Sequence, residues 1–340
     1  MIRVLMIATR NGCSRGGGDI VLPAAARQSP RLRHEGVEMP GVIALGECMV
    51  ELCLTDASGA QIGSAGDTFN TAVYFQRLGQ PTAYATAIGA GDPFSRAILA
   101  KMADEGLSAD LVVQAEGRLP GLYAIERDAD GERSFYYWRG EAPARDYFRL
   151  ADLGTLRAAL LQTGLVYLSA ISLAVIGEAG RAALAPLLAQ AKAAGVPVAL
   201  DTNYRARLWP DADAAHAAIE AAMASSGYLS LSAEDVAAFG GGDALTLAQA
   251  WASRGVEVVL RHADRRVEVL TGATVESFPA EPAVRVVDTT GAGDSFNAGY
   301  LAARLEGRSI AEAVAAARRL AGVVVQHTGA IIPKAAMPQL

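Results

Sequence analysis

From Val42 onward, apolar runs of four or five residues alternate with longer segments whose apolar positions recur every three to four residues. The expected strands are VIAL (42–45), LVYLS (165–169), VPVAL (196–200), GYLSL (227–231), EVVLR (257–261) and VRVV (284–287). Strands alternating with helical patterns are the mark of βα units on a mostly parallel sheet. Polar residues cluster just past the strand ends: Asp201, Asn203 and Arg205 after one, Glu234 after another, Asp288 and Asp294 after the last. In open α/β sheets that edge is where ligands bind, so several strands aim polar groups at one cleft. Two segments break the rhythm. ELCLTDASGAQIGSAGDT is polar and glycine-bearing, and GLYAIERDADGERSFYYWR reads as a β-hairpin turning at Asp130-Gly131. Together, over about 51–66 and 117–140, they predict a small sheet covering the cleft. Residues 1–39 lack either periodicity, contain GGG, and predict a disordered extension.

The uncharged run from Ala158 to Gly177 is nearly long enough to span a bilayer, but Gln162, Thr163, Gly164, Ser169 and Ser172 make it helix end, turn and buried strand. The five apolar residues before Arg10 are too few for a signal-peptide core, so no membrane or secretory destination is expected. A chain of 340 residues with 51% hydrophobic content can bury one large core. Its net charge is −6, with six Arg against three acids in the first 40 residues, so the remainder carries −9 and no nucleic-acid partner is expected. Three cysteines, Cys13, Cys48 and Cys53, have neither disulfide-framework nor zinc spacing, which fits a reducing cytoplasm. The lysines are Lys101, Lys192 and Lys334, and none sits in a P-loop or a protein-kinase signature. Phosphate charge would therefore fall to Arg, backbone amides, a helix terminus and bound cations.

The stretch VRVVDTTGAGDSFNAGYLAARL joins a β-branched run, two glycines and a helical pattern beginning at or just after Asp294. Strand, tight turn and helix N-terminus make an anion cradle, in which the amides of Ala292, Gly293 and Asp294 would face a phosphate oxygen. Asp294, its charge favoured by the helix dipole, would be poised to take a proton from a hydroxyl attacking a bound triphosphate. On spacing alone, a helix-terminal carboxylate beside ordinary turn glycines fits equally well. DTTGAGD followed by SFNAG resembles the C-terminal signature of the ribokinase-like (PfkB) sugar kinases. The resemblance implies a three-layer α/β/α fold with a β lid, Asp294 as catalytic base, and Gly291, Ala292 and Gly293 as the anion hole. It also implies ATP with Mg²⁺, a homo-oligomer, and a kinase domain over 40–338 in which Met39 lies near the usual start.

On the lid hairpin, Phe135, Tyr137 and Arg139 share one face and Tyr136 and Trp138 the other, with Tyr123, Ile125 and Arg127 aligned on the partner strand. By itself this aromatic and arginine face fits an exposed sheet or an oligomer contact as well as a ligand. GECMVEL, GDTFNTAVY, RLPGLYAIE with GERSFYYWR, YLSAISLAVI, NYRARLW and GAIIPKAAMP narrow the resemblance to bacterial 2-keto-3-deoxygluconate kinases, across residues 41–338. That group transfers the γ-phosphate of ATP to the C6 hydroxyl of its sugar acid. The implied substrate contacts are Gly66, Asp67 and Asn70 at hydroxyls and Tyr123, Tyr137, Arg139 and Arg205 at the keto-acid end. The implied nucleotide side has Glu234, Arg261 and Asn297, with Glu234 organising Mg²⁺ through water. Asp288 and Thr290 match a monovalent-cation site, with K⁺ as the optional ion. The chain departs from the pattern at Ala65 and Ala263, where glycine is usual, and at Leu231, where the Asn of NxxE is missing. Two or more arginines near the cleft suit an anionic sugar acid better than a neutral hexose. Fructose or the galactose-derived epimer as substrate, and a non-catalytic sugar-acid sensor, remain alternatives. A NAD-dependent oxidoreductase is disfavoured, since GAGDSF lacks a third glycine and follows the last strand.

Overall fold

The computed structural model describes residues 41–54, 59–127, 133–282 and 284–340, and before them the backbone of two paired strands, β1 (Arg33–His34) and β2 (Val37–Glu38). The rest of the expected N-terminal extension and the Asp130-Gly131 turn lie outside the described residues. In chain order the body contains β3 (Val42–Leu45), β4 (Met49–Leu54), β5 (Ala60–Ala65), α1 (Asp67–Arg77), β6 (Thr82–Gly89), α2 (Pro93–Glu105), β7 (Val112–Ala115), β8 (Leu122–Arg127) and β9 (Arg133–Trp138). There follow α3 (Tyr147–Leu150), α4 (Leu153–Leu160), β10 (Leu165–Ser169), α5 (Ala170–Val175), α6 (Gly177–Ala193), β11 (Val198–Asp201), α7 (Ala212–Met223) and β12 (Tyr228–Ser232). The chain closes with α8 (Ala233–Ala238), α9 (Ala244–Ala252), β13 (Glu257–Arg261), β14 (Val267–Thr271), β15 (Thr274–Phe278), α10 (Ala292–Leu305) and α11 (Ile310–Val324).

Nine strands form the main sheet in the order β15-β14-β13-β12-β11-β10-β3-β6-β7. It is parallel from β13 to β7 and antiparallel only at the β13-β14-β15 edge. Alternate residues of β3 separate the two cores. Ile43 and Leu45 face a cluster with Leu156, Leu184, Ile219 and Trp251, whereas Val42 and Ala44 face Phe69, Met102, Tyr300 and Leu320. Helices therefore cover both faces of a buried sheet, the expected three-layer α/β/α arrangement.

A second sheet, ordered β5-β4-β8-β9, is the lid predicted from the two interrupting segments. Its hairpin pairs Tyr123 with Tyr137, and the Tyr123, Phe135 and Tyr137 rings lie together on one face.

The expected strand VRVV is not one. Val284, Val286 and Val287 are exposed, and the amides of Val287 and Asp288 both donate to the Val325 carbonyl past the end of α11. β15 already occupies that edge of the sheet, so a β-branched run with no strand to pair becomes a connector. Helix α10 also starts at Ala292, two residues earlier than expected, because Gly291 takes the cap in the left-handed region at φ 76°. A Cβ there would lie 2.6 Å from the Ala330 carbonyl oxygen.

Candidate active site

A cleft of about 880 Å³ opens between the C-terminal edge of the main sheet and the lid. Gly66, Asp67, Asn70, Tyr123, Tyr137, Arg139, Arg205, Glu234, Arg261, Thr290, Gly291, Gly293 and Asp294 all line it, although they are drawn from positions more than 220 residues apart in the chain. Ala292 and Asp288 lie beside the cleft rather than on its wall.

Asp294 is the third residue of α10 and is buried. Asn70, inside α1, donates its side-chain amide to Asp294 Oδ2 at 2.8 Å. Whatever the helix dipole contributes, burial, reinforced by Asp67 and Asp201, pushes Asp294 well above the usual carboxylate range, against the Asn70 bond and Arg261. A raised value makes the carboxylate a stronger base. The anion cradle also needs amending. The Ala292 amide donates to the Thr289 carbonyl at 3.2 Å, so Gly293 and Asp294, the second and third helical residues, supply the amides with no preceding helical carbonyl.

Asp67 does not cap α1. Gly66 is the cap, and a Cβ on it would sit 2.1 Å from the Glu47 carbonyl oxygen, so only glycine lets the two segments approach. The Asp67 carboxylate instead accepts from the Asn203 side-chain amide at 3.1 Å. Asp201, the last residue of β11, is buried and accepts from Arg261 Nη2 at 3.0 Å. Burial, opposed by Arg261, pushes it up to about 6. Arg205 lies 3.8 Å from Asp235, whose carboxyl is raised by burial against the pull of Arg205.

At the lid, Arg139 pairs with the buried carboxylate of Glu47, and the Tyr123 hydroxyl donates to Glu51. Burial raises Glu47 despite Arg139. The Arg207 guanidinium stacks 3.8 Å from the centre of the Tyr137 ring, tying lid to body. Glu47, Asp235 and Arg207 were not among the sequence-derived candidates. The signal for Glu47 and Asp235 is a carboxylate directly after a buried strand or beside Glu234; for Arg207 it is the second arginine of NYRARLW.

Asn297 does not reach the cleft, contrary to its expected place beside the nucleotide. It is buried beneath, accepting from Ser230 Oγ at 2.7 Å and donating to the Tyr167 hydroxyl at 3.1 Å. It shares a face of α10 with Asp294 but lies one turn further from the helix N-terminus, which puts it below the cleft. Asp288 is a brace: one carboxylate oxygen accepts from the Thr290 amide at 2.8 Å and the other from the Gly329 amide at 2.9 Å.

A base at a helix N-terminus, amides beside it and arginines on the opposite wall can bind an anionic alcohol and move a phosphoryl group to it. The model of the pfkB family carbohydrate kinases matches residues 39–337. The chain belongs to the pfkB family of carbohydrate kinases. It is therefore an enzyme of the kinase class, and its β4-β5-β8-β9 sheet is the lid of a pfkB kinase. Among relatives, it is 41% identical over 305 residues to 2-dehydro-3-deoxygluconokinase of Dickeya dadantii, covering 86% of this chain and 97% of that one. The solved 2-dehydro-3-deoxygluconokinase of Thermotoga maritima superposes with a TM-score of 0.75 at 21% identity, covering 86% of this chain and 94% of that one. A Pyrococcus horikoshii sugar kinase in complex with ATP superposes with a TM-score of 0.70 at 20% identity, covering 88% and 95%. Among the described residues, no helix is long and apolar enough to cross a membrane.

Proposed function

We propose that this pfkB kinase phosphorylates 2-keto-3-deoxygluconate with ATP at the C6 hydroxyl, giving 2-keto-3-deoxy-6-phosphogluconate. The observation that carries the reading is the buried Asp294 at the α10 N-terminus, sharing one cleft with Arg139 and Arg205. Asp294 takes the hydroxyl proton as the oxygen attacks the γ-phosphorus, and the Gly293 and Asp294 amides meet the phosphoryl oxygens, with Gly291 setting their direction. Gly66, Asp67 and Asn70 hold sugar hydroxyls, while Tyr123, Tyr137, Arg139 and Arg205 surround the keto-acid end. Arg205 is the stronger carboxylate ligand, since Arg139 is already paired with buried Glu47.

On the nucleotide side the reading keeps Glu234 and Arg261 and drops Asn297. Among the described residues, no group of three or more His, Cys, Asp or Glu side chains could hold a metal. That fits Mg²⁺, which keeps waters and binds through one or two carboxylates and substrate phosphates; Glu234 would hold it through water. Mg²⁺ supplies charge neutralisation of the phosphates when bound. K⁺ at Asp288 and Thr290 is carried as part of the reading, and a K⁺ titration of kcat tests it. The kinase domain is proposed to span 40–338. A homo-oligomer is supported by Leu54, Ile62, Tyr136 and Trp138, exposed on the lid's outward face, and light scattering tests it.

The deciding experiment is ADP release with ATP and Mg²⁺ across 2-keto-3-deoxygluconate, its galactose epimer, gluconate, fructose and ribose. Preference in kcat/KM for 2-keto-3-deoxygluconate is expected. Turnover only on fructose or ribose would remove the carboxylate roles of Arg139 and Arg205, and no turnover at all would favour a sugar-acid sensor.

A further inference from the structure

A cleft built for a triphosphate needs fixed positive charge where the γ-phosphoryl group is transferred, and none of the three lysines lines it. Four arginines do. Arg139 is held at the lid by Glu47, Arg205 stands by Asp235, and Arg207 lies on the Tyr137 ring. Arg261 alone of these four reaches the helix N-terminus: its Nη1 lies 2.8 Å from where a Cβ on Gly293 would be. The absence of that Cβ lets the guanidinium lie directly against the second residue of α10.

The rest of its setting fixes the group in place. Arg261 is the last residue of β13, paired in register with Ser232 of β12, so its backbone sits in the rigid sheet. Nη2 donates to buried Asp201, which ends β11 two strands away. The guanidinium carbon is 5.8 Å from the Phe296 ring centre. Nε is buried with no hydrogen-bond partner among the described residues. An ion pair that served only to join β11 and β13 would not need to point the other end of the guanidinium at an anion cradle.

We propose that Arg261 is a catalytic residue that contacts the phosphoryl group in transfer, and that Asp201 is the residue that positions it. As the sugar oxygen bonds to the γ-phosphorus, the bond from that phosphorus to the β–γ bridging oxygen breaks. The electron pair leaves on ADP, and the hydroxyl proton goes to Asp294. Arg261 and the Gly293 and Asp294 amides face the charge on the moving group from two sides. Asp201 holds Nη2, which leaves Nη1 aimed at the cradle.

This inference rests on the kinase reading but not on the identity of the sugar. The test compares wild type, Arg261→Ala, Asp201→Asn and the double variant in kcat, in ATP affinity, and in calorimetric binding of ADP with aluminium fluoride and Mg²⁺. Arg261→Ala is expected to lower kcat by about 10³-fold or more, the usual worth of an arginine in phosphoryl transfer, and to weaken the fluoride complex while ATP affinity stays within about threefold. Asp201→Asn should lower kcat and fluoride binding in the wild-type background and add nothing in Arg261→Ala. Equal loss of ATP and fluoride affinity, a kcat within tenfold of wild type, or additive effects of the two substitutions would each overturn the proposal. If the alanine variant does not fold, isosteric Asp201→Asn carries the same comparison of the two ligands. Wild-type protein that binds the fluoride complex yet phosphorylates no sugar of the panel would sink the sugar-acid reading and leave Arg261 standing.

Discussion

Replacing Asp294 by Asn separates the chemical from the structural role of the carboxylate. The substitution is isosteric, and its amide oxygen can still accept from Asn70, so the 2.8 Å bond that ties α1 to α10 survives. What disappears is the proton acceptor, together with a buried charge repelled by Asp67 and Asp201. The amides at the α10 N-terminus and Arg261 remain, so only the base is lost. A general base is worth about 10²–10⁴ in rate, or roughly 2.7–5.4 kcal/mol of barrier. The expected result is a fall in kcat of that size with little change in sugar-acid affinity, measured by coupled ADP release and by calorimetry. Because burial and the neighbouring Asp67 and Asp201 disfavour a charge at this position, the neutral variant should also be more stable. A rise in Tm is therefore expected. A kcat close to wild type would place the base elsewhere, and a lowered Tm would contradict the assignment of burial and repulsion as the cause of the raised pKa.

Gly291→Ala should cost about 1–2 kcal/mol from the positive φ alone, with more from the backbone clash at Ala330, and should lower kcat by displacing the amides of α10. Gly322→Ala, in α11 with nothing within 4 Å of its Cβ position, should instead stabilise by about 0.5–1 kcal/mol; urea midpoints compare the two. Arg205→Ala should raise KM for the sugar acid far more than for ATP, and an equal rise in both would remove its carboxylate role. The pH dependence follows from Asp294 and Asp201, whose folded pKa values are raised, the latter to about 6. Between the unfolded and folded values the native state holds protons that the unfolded chain has released, so stability falls as pH rises through that window. Tm should therefore rise as the pH is lowered from neutrality through about 6, where Asp201 takes up its proton, and kcat/KM should fall once Asp294 protonates; a Tm that falls through that window would contradict the assignment.

Legibility from sequence tracked how local each cause is. The GAG turn was readable because a left-handed residue jammed against Ala330 demands glycine at Gly291. The lid hairpin was readable because Tyr123 and Tyr137 fall in phase on two strands close together in the sequence. VRVV was misread because β-branched composition carries no information about whether a sheet edge is free. The fully buried β6, TAYATAIG, was missing from the expected strands because its Thr and Ala are weakly apolar, and its burial comes from the helices packed on it. The pairings at the site are the least local of all: Asn70 and Asp294 are separated by 224 positions and Glu47 and Arg139 by 92. Residue type could suggest that each of these belongs to a site, but only the fold decides which carboxylate each donor meets.

Those pairings explain how one cleft can hold five carboxylates besides Glu234 and still admit two anionic substrates. Glu47, Asp201 and Asp235 each stand by an arginine, Arg139, Arg261 and Arg205 respectively. Asp67 and Asp294 instead accept from the amides of Asn203 and Asn70. Burial raises Glu47, Asp201, Asp235 and Asp294 alike, but an adjacent arginine pulls back on the first three, whereas at Asp294 the neutral Asn70 amide opposes it first and Arg261 only from further off. An arginine in place of Asn70 would neutralise Asp294 and make it a poor base. Asparagine holds the carboxylate in position without taking away its affinity for a proton. The arginines are kept for the carboxylates that need only be neutral, and their remaining donors are left for the substrates.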